Sequence, residues 1–241
     1  MIILSGAGDV SSEPPDPSTI ANLELWLHPR NITAGNGNPI DTWPDSSGNA
    51  RDATAVAGAR PTYHSSGGAN GQPYAQADGT DDAMQLPDFA TGFTAGHLFI
   101  VLQIDNDPPG ATGQSGCPFR ASTSAGDASF YPDTLGDIYE NWGSTTRKTI
   151  GNPALNLTTW HVYEVLSKSG AYTVWHNGTQ IFTTATNTVG FTTVLRLFLN
   201  ANANRMDGNM SELIFFSRDI TGGEVTTVKT YLNFWYGITI A

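Results

Sequence analysis

The chain has 241 residues with one cysteine, 26 glycines and 14 prolines, and 11 basic against 22 acidic residues give a net charge of −11. That charge removes the attraction that draws proteins to nucleic acid or to an anionic membrane, and a lone Cys117 excludes an internal disulfide or a cysteine-built zinc site. Only 14% of residues are charged, and the Gly and Pro content suits short strands joined by tight turns, so one all-β domain is expected.

Residues 1–19 read as an extended N-terminal arm and 20–241 as the domain. Met1 to Leu4 runs straight into small residues, with no Lys or Arg before Arg30; a secretory signal needs a positive start and an apolar stretch of about 7–15 residues. Ile2, Ile3 and Leu4 instead read as an apolar attachment tip, and Pro14, Pro15 and Pro17 as a stiff spacer. Leu23 to Leu27 alternates and stops at Pro29, which predicts a strand. From Asn31 to Pro73 the chain is rich in Gly, Asn, Ser and Ala and is expected to cross the surface as loops, with brief strand-like pieces such as Ile40 to Trp43.

Regular sheet is expected from His97 onward. The strands are His97 to Ile104, Trp160 to Leu166, Tyr172 to His176, Gln180 to Thr184, Val194 to Leu199 and Glu212 to Phe216, read as an antiparallel meander. No apolar run reaches the roughly 18 residues of a membrane span, so a soluble protein without membrane insertion is expected. Asn177-Gly178 between two β-rich runs predicts a type I′ hairpin. Thr221-Gly222-Gly223-Glu224 is a capping box that predicts a helix, with Val225, Val228, Leu232 and Trp235 on one face and Gly237 as its left-handed cap.

Three segments together resemble the laminin-G-like, concanavalin A-like lectin/glucanase jelly roll, in the variant of phage and bacterial surface proteins. LELWLHPRN, IDTWPDSSGNARDATA and ARPTYHSSGGANGQPYAQADGTDDAMQL are similar to that family's Leu-Trp-Leu, Trp-x-Asp-x-Ser-Gly-Asn, Arg-Pro and Phe-Asp-Gly-x-x-Asp run, with Ala77 where Phe is usual. TTWHVYEVLSKSGAYTVWHNGTQI resembles its Trp-containing strand and hairpin, and DGNMSELIFFSRDITGGEVTTVKTYLNFWYGI its last strand, capped helix and Tyr-Gly finish. The resemblance implies an antiparallel β-sandwich jelly roll with one C-terminal amphipathic helix; the superfold leaves function open.

Glycanases need two carboxylates about 5–10 Å apart across a groove. Glu13, Glu24, Glu140, Glu164, Glu212 and Glu224 never fall in the retaining-glucanase pattern Glu-x-Asp-x-(x)-Glu, and the lyase signature Gln-x-His is missing beside His161 and Tyr163, so no catalytic set is expected. The fold often carries Ca²⁺, which takes oxygen ligands. Asp45, Asp78, Asp81 and Asp82 are the metal candidates, with turn-capping aspartates as the other reading; Asn200, Asn202, Asn204 and Asp207 offer further oxygens. For glycan binding, Tyr131, Tyr139 and Trp142 lie in a polar stretch and are the aromatics least committed to the core, while Trp26, Trp43, Trp160 and Trp175 occupy strand or motif positions.

Two functions follow as expectations. The first is a non-catalytic virion structural protein, a capsid-decoration or tail subunit on the particle exterior, attached through its arm to other virion proteins or to copies of itself. The second is a glycan-binding module of a secreted or cell-surface protein, with cell-surface glycans as partners.

Overall fold

The computed structural model describes residues 13–56, 58–107, 116–122, 129–200 and 203–241. Ile2, Ile3 and Leu4 therefore lie outside the described residues. In chain order the strands are β1 (Leu23–Leu27), β2 (Thr42–Trp43), β3 (Ala53–Ala55), β4 (Thr62–His64), β5 (Tyr74–Asp78), β6 (Met84–Gln85), β7 (Ala95–Ile104) and β8 (Phe119–Ser122). They continue with β9 (Ile138–Glu140), β10 (Lys148–Gly151), β11 (His161–Lys168), β12 (Ala171–His176), β13 (Thr179–Thr184), β14 (Phe191–Leu197) and β15 (Asp207–Phe216), and helix α1 spans Gly222–Tyr236. An eight-stranded sheet runs β13-β12-β11-β7-β15-β5-β4 with β1 also on β15, and a five-stranded sheet runs β2-β3-β6-β14-β8. The expected sandwich is present, but only β11-β12-β13 is a meander: β7 and β15, far apart in sequence, lie side by side at the centre.

Alternation sorts the side chains into two layers. Leu98, Ile100 and Leu102 of β7, Tyr163 and Val165 of β11, and Leu213 and Phe215 of β15 form one buried cluster with Trp43, Met84, Phe119 and Leu197 of the smaller sheet. Phe99, Val101, Val162, Ile214 and Phe216 point the other way and pack under α1. The helix begins at Thr221, whose hydroxyl accepts the Glu224 N–H while the Glu224 carboxylate accepts the Thr221 N–H, and it ends at Gly237 with φ +62°. Its buried residues are Val228, Tyr231, Leu232 and Tyr236; Val225 and Trp235, expected on that face, are only partly buried at its margins. Among the described residues no helix is long and apolar enough to cross a membrane.

The Asn177-Gly178 turn has φ +47° and +78°, as a type I′ hairpin requires. Between Asn31 and Pro73 the chain crosses the surface but also sends Ile40 and Trp43 into the core. The N-terminal segment meets the body early. Asp16 caps a short turn at Pro17–Thr19, and Pro17 and Ile20 are buried.

Candidate functional site

The outer face of the large sheet changes character along its length. Under α1 the cross-strand row is Trp26, Ile214, Phe99 and Glu164. Toward the far ends of β7 and β15, where β5 takes the place of β1 beside β15, the row becomes Gln76, Asn209 and Gln103, one amide from each of β5, β15 and β7. The inner face stays apolar throughout, with Ala75, Ala77, Met210, Leu102 and Ile104 all buried below the amides. What keeps both rows on one face is a bulge: Met210 pairs with Leu102, but Glu212 pairs with Val101, leaving Ser211 as the extra residue. Its hydroxyl donates to the Pro73 carbonyl at 3.0 Å.

Aromatics border the amide row. Trp160 precedes β11 and is half-buried at the margin of the helix-covered cluster. Tyr74 meets it edge to face with ring centroids 5.7 Å apart, although β15 and β7 lie between their strands, and His64 stacks on Tyr74 at 4.6 Å. His64 Nε2 and Gln76 Oε1 are 2.9 Å apart. The Asn209 amide donates to Asp105 Oδ1 at 2.9 Å, while its own Oδ1 is buried without a partner, the residue being 4% exposed. Burial, with the Asp105 carboxylate beside it, raises the Tyr74 phenol above its ordinary pKa. Half-buried rings beside fixed amides and a carboxylate form a surface able to stack a sugar ring and to exchange hydrogen bonds with its hydroxyls.

Two of the three aromatics expected to face a glycan are corrected. Trp142 is 1% exposed, wedged between Phe215 (5.0 Å) and Phe191 (5.2 Å). Tyr131, also 1% exposed, joins a buried chain: its hydroxyl lies 2.6 Å from His161 Nε2 and 2.8 Å from His176 Nε2. His161 Nδ1 faces the Thr159 carbonyl at 2.7 Å and must carry the proton. Nε2 of His161 then accepts from Tyr131, whose oxygen accepts from His176. Burial holds His161 neutral, its pKa lowered to about 4, and burial with His161 nearby lowers His176 as well. Tyr139 alone is partly exposed, with the Arg147 guanidinium 4.6 Å from its ring centre.

Among the aspartates, Asp45 stands apart as a turn organiser. Its carboxylate accepts from the Trp26, Ser47 and Arg51 N–H groups and from the Ser47 hydroxyl. Asp78, Asp81 and Asp82 bring one carboxylate oxygen each within 4.8 Å of one another. Asp82 Oδ2 takes the Asp78 N–H and Asp78 Oδ1 takes the Thr80 N–H, so both also close the turn. Burial, and the Asp78 and Asp81 charges, raise the Asp82 pKa. The oxygens left over are hard donors of the kind Ca²⁺ takes.

The glutamates face no common groove. Glu140 is buried, accepting the Asn141 and Trp142 N–H groups and the Tyr163 hydroxyl. Glu164 is buried 3.0 Å from His97, and Glu212 is buried, accepting Trp26 Nε1–H at 2.6 Å and the Tyr236 hydroxyl. Burial pushes the Glu212 pKa up to about 7, with the Tyr236 and Trp26 hydrogen bonds pulling it back.

No protein-family model matches the chain, and no curated protein matches its sequence. Solved structures do resemble its fold. Domain 4 of AbnA, an extracellular GH43 arabinanase of Geobacillus stearothermophilus solved with arabinotriose, aligns over 87% of this chain and 98% of its own, at 14% identity and TM-score 0.60. Trypanosoma rangeli sialidase aligns over 89% of this chain at 14% identity and TM-score 0.59, this chain spanning 33% of its length. The binding domain of botulinum neurotoxin DC, in complex with SialylT, aligns over 88% of this chain and 51% of its own, at 10% identity and TM-score 0.58. The class these likenesses define is the all-β sandwich.

Proposed function

We propose that the chain is a non-catalytic glycan-binding module whose ligand lies across the open end of the large sheet. In this reading Trp160 and Tyr74 stack a sugar ring, while Gln76, Gln103 and Asp105 bond its hydroxyls. One observation carries the reading: the outward residues become amides past those that pack under α1, Gln103 following Phe99 and Val101 on β7 and Asn209 following Phe216, Ile214 and the buried Glu212 on β15, while the inward ones stay apolar. Two similar folds were solved in complex with arabinotriose and with SialylT, which supports the same reading. A glycan array followed by titration of the best ligand tests it. Trp160→Ala and Gln103→Ala, each with the circular dichroism of the parent, are expected to weaken binding about tenfold or more. An array without a ligand, or parental affinity in both variants, would overturn it. Within the proposal, Asp78, Asp81 and Asp82 would hold a Ca²⁺ that stiffens the turn after β5.

A second reading is a virion surface subunit attached through residues 1–19 to virion proteins or to its own copies. Pro14, near the start of the described residues, lines a groove along α1 of this same chain with Val225, Lys229, Phe234 and Ile240. Deleting residues 1–15, which spares the Asp16-capped turn, is expected to abolish assembly in sedimentation while the domain stays folded. Unchanged assembly would remove this reading.

A further inference from the structure

A cleft of about 310 Å³, within the usual size range of small-ligand sites, opens beside the Asn177-Gly178 turn. Ala154 and Leu155, from the loop before β11, and Ile181 of β13 give it apolar walls, and Asn177, Thr179 and His176 complete it. Ala154 and Thr179 are exposed, Leu155 and Ile181 are half-buried and His176 is 4% exposed, so the histidine forms the floor. His176 pairs with Tyr163, whose side chain lies in the inner cluster, and cross-strand partners share a face. The floor therefore belongs to the inner layer, whereas Trp160 and the amide row border the outer face.

The hydrogen bonds behind the floor fix where its proton sits. His161 donates from Nδ1 to the Thr159 carbonyl, so its Nε2 accepts from the Tyr131 hydroxyl, whose oxygen accepts in turn from His176 Nε2. Burial lowers the pKa of both imidazoles and keeps them neutral, and a neutral imidazole carries a single ring proton. His176 Nδ1 is therefore a bare lone pair. It is buried and has no hydrogen-bond partner among the described residues. With Nε2 committed to the buried Tyr131, Nδ1 is the polar atom of the ring left for an occupant of the cleft. A buried acceptor without a donor is costly, so a ligand that supplies one gains more there than at an exposed site.

We propose that this cleft binds a neutral 6-deoxyhexose, with one ring hydroxyl donating to His176 Nδ1 and the C6 methyl resting on Leu155 and Ile181. The lone pair only accepts, which excludes a carboxylate, a sulfate or a carbonyl at that position. Among the described residues no carboxylate, cysteine or second histidine lines the cleft, so a metal ion would find one ligand where it needs about four. An ammonium would have to shed its water between apolar walls that hold no carboxylate. A hydroxyl is the donor that remains. Three apolar side chains around it favour a sugar that carries a methyl group where others carry a further hydroxyl. The inference adds a subsite and a ligand class to the glycan-binding reading, and it rests on that reading only for the ligand being a sugar.

The test titrates methyl α-L-rhamnoside and methyl α-L-fucoside into the full chain, each beside its counterpart with a hydroxyl on C6, and follows amide and histidine ring-nitrogen signals by NMR. One deoxysugar is expected to bind at least tenfold more tightly than its counterpart. It should shift the amides of residues 154–155 and 176–181 and move the His176 Nδ1 signal in the direction of an accepted hydrogen bond. Leu155→Asn and Ile181→Thr, both on half-buried walls, should each weaken it about tenfold with the circular dichroism of the parent. Tyr131→Phe should weaken it too, because the Nε2 proton then loses its acceptor and the tautomer protonated on Nδ1 becomes accessible. Failure of both deoxysugars to bind, an unmoved His176 signal, or parental affinity in both wall variants would overturn the proposal. Shifts confined to Gln76, Gln103 and Trp160 would overturn this subsite and leave the amide row standing. Shifts at 176–181 with none at the amide row for any sugar on the array would sustain the cleft and remove the ligand from the row. Isopropanol bound as tightly as the deoxysugar would overturn the sugar assignment.

Discussion

The two ends of the large sheet share β7, β15 and one inner layer, yet they solve different problems. At the helix-covered end Trp26, Ile214 and Phe99 are buried among apolar side chains, while the row's fourth member, Glu164, is buried against His97 and Trp26 also donates to Glu212. At the open end Gln76 and Gln103 keep part of their surface in water, and Asn209 keeps a buried carbonyl without a partner. The covered end supplies stability. The open end forgoes apolar packing on its outer face and leaves Gln76 and Gln103 partly in water.

The sharpest way to break this comparison is by truncation at the covered end. Phe99→Ala is expected to cost about 3–5 kcal/mol of unfolding free energy, measured by urea denaturation. A loss below about 1 kcal/mol would mean that α1 does not rely on that row. Next comes pH. The folded-state pKa of Glu212, near 7, lies above the ordinary 4.5. The folded protein therefore holds an extra proton in that window and gains stability as pH falls from 7 toward 4.5. Glu212→Gln, which stays neutral, should close the gap, gaining on the parent by up to about 3 kcal/mol between pH 5 and pH 8. His161 and His176 act in the opposite direction, since their lowered pKa values remove stability as pH falls below 6.5. The difference between parent and variant isolates the carboxyl group.

Smaller effects belong to the open end. Ca²⁺ at tenfold its dissociation constant should stabilise the parent by about 1.4 kcal/mol, and Asp81→Asn should abolish the gain. A melting curve unchanged by Ca²⁺ would leave Asp78 and Asp82 as turn caps alone. Smallest of all, Gln103→Ala should change stability by no more than about 0.5 kcal/mol while removing glycan affinity. A large stability loss there would mean that the amide row is structural.

Local chemistry was the legible part of the sequence. The Asn177-Gly178 turn, the Thr221–Glu224 cap and the Leu23–Leu27 strand depend on neighbours a few residues away, and they appear where expected. The amide row was hidden because Gln76, Asn209 and Gln103 meet only through the register of three strands. A faint sign did exist: in Tyr74-Ala75-Gln76-Ala77-Asp78 the polar and small residues alternate strictly. Trp142 misled for a different reason. Its polar neighbours Glu140, Asn141 and Ser144 are buried too, spending their hydrogen bonds inside the protein, so local polarity did not mean exposure.

The extra residue at Ser211 also bears on how the sheet is assembled. Pairing of β7 with β15 that starts at the His97–Phe216 end runs one residue out of step with pairing that starts at Ile104–Gly208. A ladder zipped from either end must stop at Ser211, because continuing would turn every further side chain to the wrong layer. The two halves of the ladder are therefore set in register separately, each by its own side-chain alternation, on either side of Ser211.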